Sequence, residues 1–487
     1  MPSSSSTPKT ERTAPASSQE SDRGSRPSLG TLAAYLGMLA AAVALFFWIR
    51  AAGETLVAPV RSELAAVPTP RAPVDALEHV LLAIAVIVAA SRALGAVFRF
   101  LRQPPVIGEV VAGILLGPSL LGRVAPSVQS FVLPREVAPY LGVIAQVGVI
   151  LFMFLVGLEL DTRILRKRSN ATIAISHASI VVPFVLGSTL ALWLYPKVSS
   201  RDVSFTGFAL FMGVSLSVTA FPVLARILTD RGLARSRLGT MALACAAVDD
   251  ATAWCLLAFV VSIVRSEAAS SFVTLGLTVA YVAAMLILVR PIVGRLVRRQ
   301  ELLGQLDRGA TTAAFLALLA SALATEAIGI HALFGAFLLG AIVPHESLLA
   351  RELKHRIEDF VVVLLLPVFF AFTGMRTQIG LLARAEDWAL CFVIVVVACA
   401  GKFGGSAVAG RLTGLSWREA SSLGILMNTR GLMELVVLNV GLDLGVISPR
   451  LFAMLVIMAV VTTLLTSPLL QLLERREPAP AGALPYE

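Results

Sequence analysis

Apolar residues run along this chain in long blocks, with short polar or basic stretches between them. Blocks near or above 18 apolar residues are the signature of helices that cross a bilayer. Here they recur from about residue 31 to residue 472. The pattern predicts fourteen helices, over 31–50, 76–98, 105–122, 139–160, 171–195, 204–228, 238–264, 272–297, 309–328, 330–344, 360–380, 388–411, 419–446 and 451–472. The period-two alternation of an outer-membrane β-barrel is absent. The fold class is an all-α polytopic membrane protein.

Composition agrees: of 487 residues, 57% are hydrophobic and only 15% are charged, against about 25% charged in soluble domains. The net charge of +9 raises the question of nucleic acid, and its distribution answers it. With the N-terminus inside, alternate loops carry Arg166, Lys167 and Arg168, then Arg231, Arg235 and Arg237, then Arg295, Arg298 and Arg299, then Arg351, Lys354 and Arg356. About 25 Lys and Arg fall on that side and about 11 on the other, which is the positive-inside bias. The basic balance is topology, and no nucleic-acid partner is expected. An even number of helices also puts Arg475 and Arg476 inside.

The segment 1–30 is Ser-, Pro- and charge-rich and is expected to be a disordered cytoplasmic leader that contributes nothing to the work of the membrane unit. Helix 31–50 lacks a cleavage site and follows too long a polar leader for a signal peptide, so it reads as an extra transmembrane helix. A linker, 51–75, leads to one membrane unit, 76–472, followed by a short cytoplasmic tail, 473–487, with no soluble regulatory domain. Cys245, Cys255, Cys391 and Cys399 all lie in apolar helices. Their spacing fits neither zinc nor a disulfide framework, and buried small hydrophobes are the expected role.

Two predicted spans are interrupted by polar residues. Helix 204–228 contains Ser215, Ser217, Thr219 and Pro222, and helix 419–446 contains Asn428, Thr429, Arg430, Gly431 and Glu434. They lie seven helices apart and run in opposite directions. Paired broken helices in corresponding halves point to a transport site built from inverted repeats, because unwound backbone in a membrane must line protein or a wet cavity.

The chemistry concentrates in a third span. Asp249 and Asp250 sit together in ACAAVDDATAW, mid-way along helix 238–264. An ionisable residue at that depth costs about 2.5–3.5 kcal/mol on insertion scales and marks ion or proton pathways. Lys402 is mid-way along helix 388–411, where Gly401, Gly404 and Gly405 allow close approach of a neighbouring backbone. Gly401-Lys402 resembles the end of a phosphate-binding loop, but the earlier glycine is missing and Phe403 replaces Ser/Thr, so no nucleotide is expected. Adjacent helical residues point about 100° apart. One aspartate therefore pairs with Lys402 while the other faces a cavity and takes the ion. Burial and a neighbouring ammonium act in opposite senses on a carboxylate's hold on its proton. A proton and a monovalent cation then compete for one site, and alternating access turns that competition into antiport.

Eight stretches carry a family resemblance: RQPPVIGEVVAGILLGPSLLG (102–122), LFMFLVGLELD (151–161), SVTAFPVLARIL (217–228), AAVDDATAW (246–254), HALFGAFLLGAIVPHE (331–346), LPVFFAFTGMRT (366–377), GKFGGS (401–406) and MNTRGLMELVVLNVGLDLGVI (427–447). The chain resembles the monovalent cation:proton antiporter-2 family of the sodium/hydrogen exchanger fold, and within it the plant cation/H+ exchangers and their bacterial relatives. The resemblance implies about thirteen core helices plus the extra N-terminal one, inverted repeats with two crossing broken helices, and a separate domain for homodimer formation. It implies Asp250 as the ion-binding carboxylate and Asp249 as its companion, paired with Lys402. Ser217, Thr219 and Pro222 would sit in one crossing, with Asn428, Thr429, Arg430 and Glu434 in the other. Plant-type relatives commonly carry Asn-Asp where this chain has Asp249-Asp250. Asp-Asp is the pattern of the electrogenic branch.

Other polar groups rank lower. Glu109 and Gln146 are pathway candidates; Glu326 and His331 read as capping or pairing groups beside a tight connection. Glu159 and Asp161 read as solvated beside Arg163, His177 as bonded to backbone, and His345 and His355 as loop-side histidines. The expected function is secondary active exchange of Na+ or K+ for protons, without cofactor or enzymatic step. A cation channel or a non-transporting sensor on the same fold remains open; a channel predicts currents that reverse at the ion's Nernst potential without proton coupling. Side-chain identity does not separate Na+ from K+.

Overall fold

The computed structural model describes residues 29–59, 76–159, 170–233, 236–265 and 271–474. The expectations for the leader, most of the linker and the tail, and for Asp161, Arg163, Arg166–Arg168 and Arg235, fall outside these residues. The described chain is helical: α1 Leu29–Gly53, α2 Ala76–Phe100, α3 Pro105–Leu116, α4 Leu121–Val124, α5 Pro126–Val132, α6 Ala138–Glu159, α7 Asn170–Val198, α8 Phe205–Ser217, α9 Phe221–Asp230 and α10 Arg237–Arg265. There follow α11 Ser271–Ala284, α12 Arg290–Leu303, α13 Arg308–Ile328, α14 Ala332–Ile342, α15 Leu348–Phe360, α16 Leu366–Arg376, α17 Ala385–Leu412, α18 Trp417–Met427, α19 Leu432–Asp443 and α20 Pro449–Glu474. Short π-helical turns join α11 to α12 and α15 to α16.

Among the described residues twelve helices are long and apolar enough to cross a membrane, and a thirteenth crossing is the bent pair α18–α19. All fourteen predicted segments are present. The 330–344 segment is shorter than predicted: α14 has eleven residues. It still returns the chain across the molecule. Arg356, on α15, donates to the Leu306 carbonyl beside the start of α13 at 3.1 Å, so α15 and the start of α13 share a face.

Three segments differ from the sequence pattern. Arg351, Lys354 and Arg356, expected on a loop, lie on α15, whose N-terminus is capped by Ser347. Lys354 pairs there with Glu159 at 2.5 Å, so Glu159 is not simply solvated. Helix 105–122 ends at Leu116 and continues as the short turns α4 and α5. The N-terminal helix runs on to Gly53, which shortens the linker.

Capping residues set several starts. Ser204 opens α8, Asp307 opens α13, and the Ser416/Glu419 capping box opens α18. Pro105 and Pro222 occupy first turns, where a missing N–H leaves no carbonyl unserved.

The helices sort into two bundles. One is formed by α7 to α10 and α17 to α20, with α7 packed along both α8 and α17. The other contains α2, α3, α6 and α11 to α16, tied by the packing of α3 on α16 and of α6 on α14. The extra helix α1 packs on the first bundle, against α7 and α8, with Ile49 fully buried and Phe46 against Phe184.

Candidate functional site

Both expected breaks are present, and they meet. The first is Val218–Ala220, between α8 and α9; the second is Asn428–Gly431, between α18 and α19. Ala220 N–H donates to the Thr429 carbonyl at 3.0 Å, and the Thr219 hydroxyl donates to the Met427 carbonyl at 3.2 Å. Each break thus satisfies backbone groups of the other, as a membrane interior requires. Ser215 and Glu434 belong to the half-helices themselves rather than to the breaks.

Asp249 and Asp250, at mid-length of α10, face this crossing with opposite surroundings. Asp249 is fully buried and saturated with donors: Ser176 at 2.7 Å, Ser179 at 2.8 Å, Thr219 at 2.9 Å and the Lys402 ammonium at 3.1 Å. Lys402, also fully buried, donates in addition to the Ser179 carbonyl at 3.0 Å and to the Ser217 carbonyl. The Ser217 hydroxyl turns away, to Gly213 and Ile180 carbonyls. Asp250 is 4% exposed, and neither of its oxygens has a hydrogen-bond partner.

A second buried ion pair closes the other side. Arg430 and Glu434 lie 2.5 Å apart with both side chains fully buried. The Arg430 guanidinium also donates to the Ser215 and Leu216 carbonyls, at 2.8 and 2.7 Å. With Lys402 on Ser217, two cations serve the last carbonyls of α8, the negative end of its dipole. Thr463 on α20 holds the Arg430 backbone. Asn428 donates to Cys399 sulfur at 3.4 Å, and the Thr429 hydroxyl has no partner. Charge therefore balances pairwise: Lys402 with Asp249, and Arg430 with Glu434. Asp250 is left as one uncompensated carboxylate, the charge that one monovalent cation or one proton neutralises.

The glycines beside Lys402 divide. A Cβ on Gly401 would meet Pro183 Cα at 2.9 Å, and one on Gly405 the Ala178 carbonyl at 2.8 Å, so these two set the α17–α7 approach. Gly404 has nothing within 4 Å and takes no part. Sequence reasoning missed Ser176 and Ser179, although their spacing puts both hydroxyls on one helical face. It also missed Thr463.

The two pathway candidates lie apart. Glu109 lines a cavity of about 200 Å³ with Pro222, Arg226 and Leu432, which touches the first turns of α9 and α19. Gln146 lines another, of about 400 Å³, with Glu326, His331, Asn439 and Asp443. Glu326 accepts from the Ala332 amide at 2.9 Å, a cap on α14. His177 is bonded to the Ile173 carbonyl at 2.8 Å and packs edge-on to Tyr35. Cys245 and Cys391 are buried, but Cys255 is exposed on the outside of α10, contrary to expectation.

Residues 82–473 match the family model described as sodium/hydrogen exchanger, transmembrane. The chain belongs to the sodium/hydrogen exchanger family. It is 46% identical over 404 residues to the Na(+)/H(+) antiporter NhaS4 of Synechocystis sp., covering 82% of this chain and 98% of that one. It is 38% identical to Cation/H(+) antiporter 19 of Arabidopsis thaliana, covering 85% of this chain and 52% of that one. For K(+)/H(+) antiporter 1 of Saccharomyces cerevisiae the identity is 36%, covering 77% and 44%. The chain thus spans about half the length of its plant and yeast relatives. The solved sodium proton antiporter MjNhaP1 of Methanocaldococcus jannaschii shares the fold, with a TM-score of 0.58 at 14% identity over 81% of this chain and 99% of that one. Helix α1 precedes the part of the chain that matches the exchanger family.

Proposed function

We propose that the chain exchanges a monovalent cation, Na+ or K+, for protons across the bilayer by alternating access, with Asp250 as the shared site. The observation that carries this reading is the uncompensated Asp250 carboxylate, held at the meeting of two broken helices with every neighbouring buried charge already paired. A bare carboxylate there binds either a proton or a cation shed of most of its water. Occupancy by one excludes the other, and that exclusion couples the fluxes. The relatives' names, antiporters of Na+, K+ or cations with H+, support the same exchange.

The Asp249–Lys402 pair governs stoichiometry. When a cation settles on Asp250, Asp249 turns to it as a second ligand and Lys402 gives up its proton. The cation displaces the proton that Asp250 carried on the return step, so two protons, one from Asp250 and one from Lys402, leave for one cation, and exchange is electrogenic. Glu109, lining a cavity that reaches the first turns of both C-terminal half-helices, serves one access route; Gln146 serves the opposite one. The positive-inside bias supports a multi-pass protein of the cell's inner membrane with both termini cytoplasmic. The Gly276–Leu303 span, with only 6% of its most apolar 18-residue window buried within one protomer, is left to face lipid or a second copy, and homodimer formation is proposed along it.

The test uses purified protein in proteoliposomes, with internal pH followed as Na+, K+, Li+ or Rb+ is added outside. At least one cation is expected to drive proton efflux that an ionophore-imposed voltage speeds or slows. Cation flux that reverses at the Nernst potential and leaves pH unchanged would establish the channel reading instead.

A further inference from the structure

The ion pairs Lys402–Asp249, Arg430–Glu434, Lys197–Glu386 and Arg450–Asp387 each lie within the bundle that holds Asp250. Lys354–Glu159 ties α15 to α6 within the other. Arg376 reaches across. It closes α16, in the second bundle, and donates to Asn439 at 3.0 Å and to Asp443 at 2.6 Å, both on α19 in the first. Asn439 in turn donates to the Thr373 hydroxyl of α16 at 2.8 Å. Four side chains thus join the last turns of two helices that belong to different bundles.

This bridge sits at the cavity that Gln146 lines, since Asn439 and Asp443 line it too. Helix α19 runs from one cavity to the other: Leu432, in its first turn, lines the one beside Glu109. Helix α9 carries Arg226 of the Glu109 cavity and ends at Asp230, just before α10 begins. Trp254, one turn beyond Asp250 on α10, is therefore on the side of Asp250 toward the bridge. Its buried ring packs edge-on to Phe334, 5.5 Å between centroids, and stacks on Phe337 at 6.3 Å, both on α14 of the other bundle. The polar bridge itself is light. The Arg376 and Asp443 side chains are 25% and 41% exposed, and an ion pair that wet contributes little to stability. On separation both ends face a cavity wide enough for water.

We infer that Thr373 and Arg376 of one bundle with Asn439 and Asp443 of the other form the gate of the access route beside Gln146, closed in this structure over an aromatic seal of Trp254, Phe334 and Phe337. The gate parts each time Asp250 is served from that side, and re-forms when Asp250 is served from the Glu109 side. The inference rests on the antiport reading, which requires two routes open in turn. Parting of the gate is observable without transport.

The test is amide hydrogen–deuterium exchange of the full chain in phosphatidylcholine nanodiscs, followed by mass spectrometry. Arg376→Gln removes both contacts of the guanidinium; Asp443→Asn removes the ion pair and keeps the shape. Each should speed deuterium uptake in 331–337 and 436–446, beside the Gln146 cavity, and slow it in 104–109 and 222–226, beside the Glu109 cavity. The expected change is up to about fivefold, the upper end for a half-exposed pair, and larger for Arg376→Gln. Glu386→Gln breaks the similarly exposed pair with Lys197 inside one bundle and should produce no such opposite changes. Opposite changes on the two sides mark a gate, because a bridge that only stabilised the fold would loosen its own side or both. Loosening without the opposite slowing, no change at all, or the same opposite changes with Glu386→Gln would overturn the gate. Proteoliposome exchange by wild type is measured separately. Its absence alongside opposite changes in the variants would overturn the antiport reading and leave the gate standing.

Discussion

At the scale of single residues, two neighbouring carboxylates differ because their partners differ. Asp249 has four donors and Asp250 has none. Breaking a buried ion pair by removing one partner costs about 3–5 kcal/mol, because the other charge stays buried and uncompensated. Lys402→Met should therefore melt far below wild type in detergent micelles, while Asp249→Asn/Lys402→Met should recover much of the loss. A melting point for Lys402→Met equal to wild type would mean the pair is not ionised. The pairing of one aspartate with Lys402 was legible in the sequence, because a buried lysine needs a carboxylate and helical geometry allows it only one of the two. The three hydroxyls around Asp249 were not. Serine and threonine are ordinary in membrane helices, and only the folded packing of α7 on α10 shows which of them turn inward. The Arg430–Glu434 pair was half legible: the i,i+4 spacing was there to read, but its role on the α8 carbonyls needed the crossing.

At the scale of elements, the breaks in α8–α9 and α18–α19 position everything else, and polar clusters within apolar runs announced both. Lys402 reaches across only because Gly401 and Gly405 let α17 lie against α7. Gly405→Val would push its side chain into the Ala178 carbonyl and shift Lys402 from Ser179 and Asp249. Misplacement by about 1 Å can cost about a hundredfold in rate, so exchange by this variant in proteoliposomes should fall by at least an order of magnitude. Gly404→Ala, with open space beside it, should leave exchange intact and raise thermal stability slightly, since alanine favours helix by about 0.5–1 kcal/mol. Equal effects from the two substitutions would remove the close approach from the account. Sequence alone nominated all three glycines equally, because a small residue marks a possible approach and not its direction. The helical character of α15 was legible only in part. Its N-cap Ser347 and the i,i+4 pairs Glu352–Arg356 and Lys354–Glu358 were there to read; the partners of Lys354 on α6 and of Arg356 at the start of α13 are long-range and have no local signature.

At the scale of the whole molecule, two bundles flank one buried carboxylate that has no hydrogen-bond partner, and the proposed exchange rests on that group. Moving one net charge per cycle is worth about 2.3 kcal/mol per 100 mV. A potential imposed on proteoliposomes should therefore shift the exchange equilibrium of wild type, and Asp249→Asn, folded but less stable because it leaves Lys402 buried without its counter-charge, should weaken that dependence. Indifference of wild type to voltage would make the Asp249–Lys402 pair structural rather than the source of a second proton. The number and order of the helices were readable from hydropathy; the assignment of each helix to a bundle, and the Arg376 bridge between them, arise only from packing. The central claim is that cation and proton share Asp250. Its most direct test follows internal pH and cation uptake together in proteoliposomes holding wild type or Asp250→Asn at equal amounts. Coupled uptake and proton release are expected in wild type, with neither in the variant and an unchanged fold. Near-normal coupled exchange by Asp250→Asn would contradict the claim.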